Sequence, residues 1–377
     1  MEQPLKATLS RRTFLAGSAV AAAAAGLTLA GCGGGGQSSS SGSGSGAKGV
    51  KVGVSMPTKS LQRWNQDGAN MQEKLKAKGY EVDLQFAENK VETQVSQIEN
   101  MITKGCKVII VGAIDGGSLS SVLDEAKNAG VKVISYDRLI MNTDAVNYYA
   151  TFDNYGVGKI QGQYIEQKLG LKDGKGPFNF EITTGPLDDN NVVFFFKGAM
   201  DVLQPYIDKG QLVVKSGQMS REQCATPNWD EAKAQERMDN ILTTYYTNAK
   251  LDAVLCSNDS TSLGVQSALK SAGYNSADKP MPLVTGQDAN LPNVKAILAG
   301  EQAMSVFKDT RALADEVVKM VDAMLNGQEP EVNDTKSYNN GVKVIPSYLL
   351  QPQFVDKSNY KDLLIDSGYY KEADLQK

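Results

Sequence analysis

From Val50 to Leu325 the chain alternates short β-rich runs with helical runs of about 12 to 18 residues, and this rhythm limits the fold more than any other feature. The spacing predicts strands at Val50–Met56, Glu81–Ala87, Lys107–Gly112, Lys132–Tyr136, Tyr148–Phe152, Phe178–Thr183, Leu212–Ser216, Ala253–Ser257, Leu283–Thr285 and Met304–Phe307. Helices are predicted between them, among them Asp67–Ala77, Glu92–Thr103, Val192–Leu203 and Arg311–Leu325. Glycines at 79, 105, 130, 273 and 300 stand just past the last periodic residue of a helix, where a left-handed backbone ends it. Strand, helix, strand implies crossover connections and parallel sheets covered on both faces. Ten strands exceed one compact doubly wound sheet, so two α/β lobes are expected, with the break at Phe152-Asp153-Asn154.

Composition then removes whole classes of function. The 377 residues include no histidine, which excludes Ser-His-Asp and Cys-His nucleophile systems and every His-ligated metal site. The four cysteines, at 32, 106, 224 and 256, show no C-x-x-C spacing, so no zinc ribbon or redox motif is available. Cys106 and Cys256 lie in apolar strand-like runs and read as buried thiols, and disulfides are not expected. A net charge of −4 argues against a nucleic-acid partner. No cofactor or metal is expected.

Residues 1–31 read as an export signal. Lys6, Arg11 and Arg12 form a basic start, and an apolar stretch follows from Phe14 to Ala30. Ser10-Arg11-Arg12-Thr13-Phe14-Leu15 looks like a twin-arginine signal, although ordinary secretory signals also carry arginine pairs. Leu29-Ala30-Gly31-Cys32 looks like a bacterial lipobox, with cleavage before Cys32 and acylation of its sulfur. From Gly33 to Gly46 every residue except Gln37 is Gly or Ser. Such a tether spans roughly 20 Å at ~5–6 Å × √n and would hold a soluble body near a membrane. Loss of the signal removes three of the 39 cations and one of the 43 acids, leaving a body near −6.

Ligands of open α/β sheets bind outside the carboxyl ends of the strands. The residues following predicted strands share one chemistry: Lys59, Ser60, Gln62 and Arg63; Asp137 and Arg138; Asp188-Asp189-Asn190-Asn191; Asn258-Asp259; Gln287-Asp288; Lys308-Asp309. Carboxylates, amides and cations converging on one cleft suit a ligand dense in hydroxyls, each of which donates and accepts. Trp229 would offer a stacking face to a sugar ring. Residue by residue, duller roles compete. Asp137 and Arg138 also read as a salt bridge, Asn190 as a helix cap, Trp229 as interface core and Trp64 as packing.

With Gln97-Ile98-Glu99-Asn100-Met101, Ser135-Tyr136-Asp137-Arg138-Leu139, Thr151-Phe152-Asp153-Asn154, Asp188-Asp189-Asn190-Asn191, Ser257-Asn258-Asp259, Gly286-Gln287-Asp288 and Val306-Phe307-Lys308 in order, residues 50–370 closely resemble one family. This is the xylose-type branch of bacterial ABC-transporter monosaccharide-binding proteins, type I periplasmic binding proteins, and most of all its multiple-sugar receptors. The resemblance implies two doubly wound, Rossmann-like parallel-sheet lobes joined by a three-stranded hinge, with the ligand in the interlobe cleft. Crossings near 153, 307 and 330 would give a first lobe of 48–153 plus 308–330 and a second of 154–307 plus 331–377. It further implies that Lys59, Gln62, Arg63, Asp137 and Arg138 hold the ligand from the first lobe. Asn190, Asn191, Trp229, Asn258 and Asp288 would do so from the second, with Lys308 at a crossing. No aromatic pair of the ribose-binding kind follows the first strand, so stacking is expected from one side.

The function implied is capture of a monosaccharide of the xylose, glucose, galactose or arabinose class. A monomeric receptor, lipid-anchored outside the cytoplasm, would close on it and deliver it to a membrane permease. No G-x-x-x-x-G-K-[ST] occurs, so the ATPase must be another chain. A sensory role toward a membrane kinase or chemoreceptor is equally compatible with the resemblance. An enzyme using a pair among Asp137, Asp259 and Asp288 on a glycoside is the competing chemistry. Lys59, Arg63, Arg138 and Lys308 against Asp137 and Asp288 leave a surplus of two positive charges, which would suit a sugar acid; neutral aldoses are the preferred expectation.

Overall fold

The computed structural model describes residues 49–376, so the signal segment 1–31, the acylation site Cys32 and the Gly/Ser tether lie outside the described residues. The first lobe starts with β1 (Lys51–Met56), α1 (Gln62–Ala77), β2 (Glu81–Phe86), α2 (Val91–Thr103), β3 (Val108–Val111), α3 (Ser120–Asn128), β4 (Lys132–Tyr136) and β5 (Val146–Phe152). These strands pair in parallel in the order β2-β1-β3-β4-β5. Their side chains alternate between two cores. Val108 and Ile110 join Trp64, Met71 and Leu75 on one face, while Ile109 and Val111 join Ile98, Met101 and Leu123 on the other. Burial on both faces is what makes these strands near-continuous apolar runs.

The second lobe continues with α4 (Asn154–Leu169), β6 (Phe178–Thr183), α5 (Asn191–Asp208), β7 (Leu212–Val213), α6 (Arg221–Cys224), α7 (Glu231–Tyr245), β8 (Ala253–Cys256), α8 (Asp259–Ser271), β9 (Leu283–Val284), α9 (Leu291–Ala299) and β10 (Ser305–Phe307). Its sheet has the order β7-β6-β8-β9, again parallel, and a parallel bridge from Gln287 to Val306 brings β10 alongside. The order of the first sheet is therefore repeated. The five predicted helix stops all hold: Gly79, Gly105, Gly130, Gly273 and Gly300 have φ of 94°, 81°, 74°, 84° and 85°. Cys106, Cys224 and Cys256 are buried free thiols.

The chain passes between the two sheets at Phe152–Asn154 and at Phe307–Thr310, after which α10 (Thr310–Leu325) returns to the core of the first lobe. The third crossing does not lie near 330. β11 (Ser347–Leu350) pairs in parallel with β5, and Asn340 Nδ2 donates to Ile140 O and Thr143 O, so residues 331–350 belong with the first lobe. The expected assignment of 331–377 to the second lobe holds only from β12 (Gln353–Val355), which pairs antiparallel with β10. The reason is the open edge of β5, whose unpaired backbone groups β11 satisfies.

Candidate ligand-binding site

Asp137 and Asp288 occupy matching places in the two lobes. Asp137 follows β4 and its N–H donates to Ala150 O of β5, while Asp288 follows β9 and its N–H donates to Val306 O of β10, each at 2.8 Å. Both have positive φ, 59° and 98°, a conformation that non-glycine residues hold at a cost of about 1–3 kcal/mol. That backbone turns the two carboxyl groups into the space between the lobes.

Arg63, in the first turn of α1, stands among three carboxylates. Its Nε donates to Asp67 Oδ2 at 2.9 Å, Nη1 lies 3.3 Å from Asp288 Oδ1 and Nη2 lies 2.8 Å from Asp137 Oδ2. The last contact is an ion pair without hydrogen-bond geometry, so both atoms keep unused hydrogen-bonding capacity although buried. Asp67 is itself held by Tyr136, whose hydroxyl donates to Oδ1. Burial pushes the Asp67 carboxyl up, against the pull of Arg63. Burial also pushes Asp137 up, but Arg63, then Lys308 and Arg138, outweigh it and hold that carboxyl below its ordinary value. Lys308 Nζ, at the second crossing, lies 3.1 Å from Asp288 Oδ1 and 3.8 Å from Asp137 Oδ2.

A second set of contacts joins the lobes on the other side of the cavity. Arg138 is anchored by Nη1 to Ala113 O and Ile114 O, and its Nε meets Asp189 Oδ2 at 2.9 Å. The same carboxylate oxygen accepts from Trp229 Nε1 at 3.1 Å. Asn191, at the start of α5, donates from Nδ2 to Asp137 O and accepts from Tyr149 OH. Trp229 lies flat against Gly185, where a Cβ would fall 2.2 Å from the indole, so only glycine fits beneath the ring.

These atoms line one small, partly enclosed space between the lobes. Of the expected residues, Arg63, Asp137, Arg138, Asn191, Trp229, Asn258, Asp288 and Lys308 line it. Lys59, Gln62 and Asn190 do not. Lys59 is exposed, its ammonium over the ring of Phe86, and Asn190 stands at the N-terminal end of α5 without making a side-chain cap bond. Gln62 bonds to Tyr370 and to the backbone of Leu291. The reason for the first-lobe misses is that α1 starts at Gln62, not at Asp67. Gln62 projects from the first turn of this helix away from the cavity, while Arg63 and Trp64 of the same turn line it, and Lys59 lies in the exposed loop before it.

Sequence reasoning missed Leu61, Trp64, Asp189, Phe195, Gln287 and Asn290, all of which line the cavity. Trp64 is more than packing: the guanidiniums of Arg63 and Arg138 lie 4.9 and 5.2 Å from its ring centre. Aromatic rings thus line the cavity from both lobes. Gln287 Oε1 and Asn290 Oδ1 are buried and have no hydrogen-bond partner. With Lys59 outside and Asp189 inside, the expected surplus of two positive charges disappears: Arg63, Arg138 and Lys308 face Asp137, Asp189 and Asp288. Asp259 does not line the cavity. Its carboxylate accepts from Asn290 N, Gln302 Nε2 and Ser305 Oγ behind the loop that carries Asp288.

The chain is 57% identical over 325 residues to the multiple sugar-binding periplasmic protein SbpA of Azospirillum brasilense, covering 86% of this chain and 91% of that one. It is 38% identical to the D-xylose-binding periplasmic protein of Escherichia coli strain K12, covering 87% and 93%. Among solved structures, an ABC transporter solute binding protein from Clostridium phytofermentans with bound β-D-glucose is 61% identical. Its TM-score is 0.84, with 86% of this chain and 99% of that chain covered. The family model described as a periplasmic binding protein domain matches residues 52–329, spanning both sheets and the cavity between them. The chain belongs to the periplasmic binding protein family.

Proposed function

We propose that this protein captures a neutral monosaccharide, of the glucose or xylose class, between its lobes and delivers it to a membrane permease of an ABC transporter. The observation that carries this reading is the charge balance of the cavity. Three cations and three carboxylates, contributed by both lobes and the crossing between them, face a space lined by two indoles, with buried polar atoms still able to bond. Sugar hydroxyls can donate to the carboxylates and accept from the cations without bringing net charge. A sugar acid would add an uncompensated carboxylate to a balanced, desolvated site. The sugars named for the relatives, glucose, xylose and several sugars for one receptor, fit this chemistry.

Closure is the signal passed on. A sugar that contacts both lobes binds the closed form better and shifts the population toward it. The ligand-holding residues we assign are Arg63, Asp137, Arg138, Asn191, Trp229, Asn258 and Asp288, with Lys308, Asp189, Gln287 and Asn290 completing the shell. We also assign Cys32 as the acylated anchor on a Gly/Ser leash, placing the binding body outside the cytoplasm; Cys32→Ser should move the protein from the membrane to the soluble fraction of cells.

The chain has two tryptophans and both line the cavity, so fluorescence excited selectively at tryptophan, clear of the 15 tyrosines, reports on the site. Titration with xylose, glucose, galactose, arabinose, ribose and glucuronate should give a saturable change with one or more neutral aldoses. A flat response to all of them would reject the proposal.

A further inference from the structure

Gln62 leaves the cavity but does not leave the lobe interface. The segment after β12 packs on the second lobe, where Leu364 and Tyr370 share a buried cluster with Ala289, Val294 and Val355. From this position the Tyr370 hydroxyl donates to Ala289 O at 3.0 Å and accepts from Gln62 Nε2 at 3.1 Å and Gln66 Nε2 at 3.4 Å. One donor and two acceptor sites are all that a phenol has, so the group is saturated. The other end of the Gln62 amide is also used: Oε1 accepts from Leu291 N at 3.2 Å. Tyr369 OH donates to Gln66 Oε1 at 3.3 Å. The two glutamines are one helical turn apart on α1, so a single face of the first lobe meets the tyrosine pair of the second.

None of Gln62, Gln66, Tyr369 and Tyr370 lines the cavity. Their partners Ala289 and Leu291 nevertheless flank Asn290 and follow Asp288, both of which do. We propose that Gln62, with Gln66 and Tyr370, forms an interlobe latch that stabilises the closed cleft whichever sugar is bound, setting affinity without setting sugar choice. The proposal rests on the sugar-binding reading above.

The physical argument is one of population. The latch bonds join opposite lobes, so an opening motion that draws α1 away from the C-terminal segment breaks them. The apparent affinity of any ligand scales with the fraction of protein able to close. Because the latch does not touch the ligand, weakening it lowers the affinity for every sugar by the same factor. A residue in contact with hydroxyls acts differently, penalising one epimer more than another. The latch is built from amides, phenols and backbone groups, so its strength is insensitive to salt.

The test compares the purified protein with Gln62→Leu and Tyr370→Phe in tryptophan-fluorescence titrations with D-glucose, D-xylose and D-galactose, and in stopped-flow dissociation. Tyr370→Phe keeps the ring in its cluster and removes only the hydroxyl, which guards against loss of folding in the other variant. The dissociation constants should rise by a common factor, about 5–30-fold for Gln62→Leu and less for Tyr370→Phe, with faster release and unchanged ratios between sugars. A change of more than about threefold in those ratios would overturn the latch, because Gln62 would then be reading the ligand. Unchanged constants in both variants would overturn it as well. Should the unaltered protein bind no sugar, the parent reading fails and the latch is judged by small-angle scattering: a more expanded Gln62→Leu protein upholds it and equal radii reject it.

Discussion

Asp137 and Asp288 are the residues on which most of the site converges, and each is reached by the same local device: a strand end, a left-handed residue and an N–H bonded to the neighbouring strand. Replacing Asp288 by alanine removes the carboxylate that both Arg63 and Lys308 approach. Hydrogen bonds to charged groups are worth about 1.5–3 kcal/mol, so sugar affinity should fall by roughly 10–100-fold in a direct titration. An unchanged affinity would remove Asp288 from the site. Behind it, the Asp259 carboxyl is pushed up to about 8 from an ordinary 3.8, first by burial and then by Asp288. The folded chain holds that proton more tightly than the unfolded one does. Its contribution to stability is therefore full below the ordinary value and is lost as pH rises through about 8. Asp137, held below its ordinary value, acts only at the acid end and does not interfere in this window. The thermal midpoint should fall between pH 5 and 8.5, and Asp259→Asn should flatten that fall; parallel profiles would contradict the assignment. Eight of the eleven expected residues line the cavity, and those that follow strands could be singled out because polar residues there have few other uses. Asp189 and Gln287 sat inside strings already singled out, Asp188-Asp189-Asn190-Asn191 and Gly286-Gln287-Asp288. Which neighbour in such a string faces the cavity depends on the turn, and no spacing rule encodes that.

Helix packing holds the strand ends in place. α4 and α5 approach so closely that a Cβ at Gly158 would lie 1.9 Å from Phe195 O, and one at Gly198 would lie 2.1 Å from Tyr155 O. Between them, α4 carries Gln161, whose Nε2 donates to Cys256 O and Gly286 O and so ties together the loops after β8 and β9. In an open helix Gly→Ala gains about 1 kcal/mol, but overpacking against a backbone oxygen that cannot move aside costs about 1–3 kcal/mol or more. Gly158→Ala should therefore destabilise the protein, lowering its thermal midpoint; an equal or higher midpoint would mean that α4 and α5 can separate without cost. At this scale the sequence was readable wherever periodicity was long. Each predicted strand from Val50 to Phe307 has its counterpart, and glycine marked the helix ends. Two places were not readable. α1 begins one turn earlier than its apolar period, which starts only after polar Gln62 and Arg63. β11 and β12 stand after the strand–helix alternation has ended, with only Gln351 and Pro352 and no helix between them to mark them as strands. β11 is recruited by the edge of β5, a non-local cause that a local pattern does not contain.

The whole molecule is one topology used twice, and its site exists only where the two copies face each other. Apart from the Arg63–Asp137 pair within the first lobe, the charged contacts of the cavity join unlike lobes or the crossing between them: Arg63 with Asp288, Arg138 with Asp189, Lys308 with both central carboxylates. Two lobes and a cleft were legible from the count of strands. The charge balance was not, because it turns on one lysine facing solvent and one aspartate facing inward. That balance is also what separates a receptor for neutral sugars from one for sugar acids. The most direct measurement is calorimetric titration of the purified protein with D-glucose and, separately, with D-glucuronate. One site per chain for glucose, with glucuronate at least tenfold weaker, is the expected result, since an added carboxylate meets no unpaired cation. Tighter binding of glucuronate, or no heat with glucose or any other neutral aldose, would contradict it.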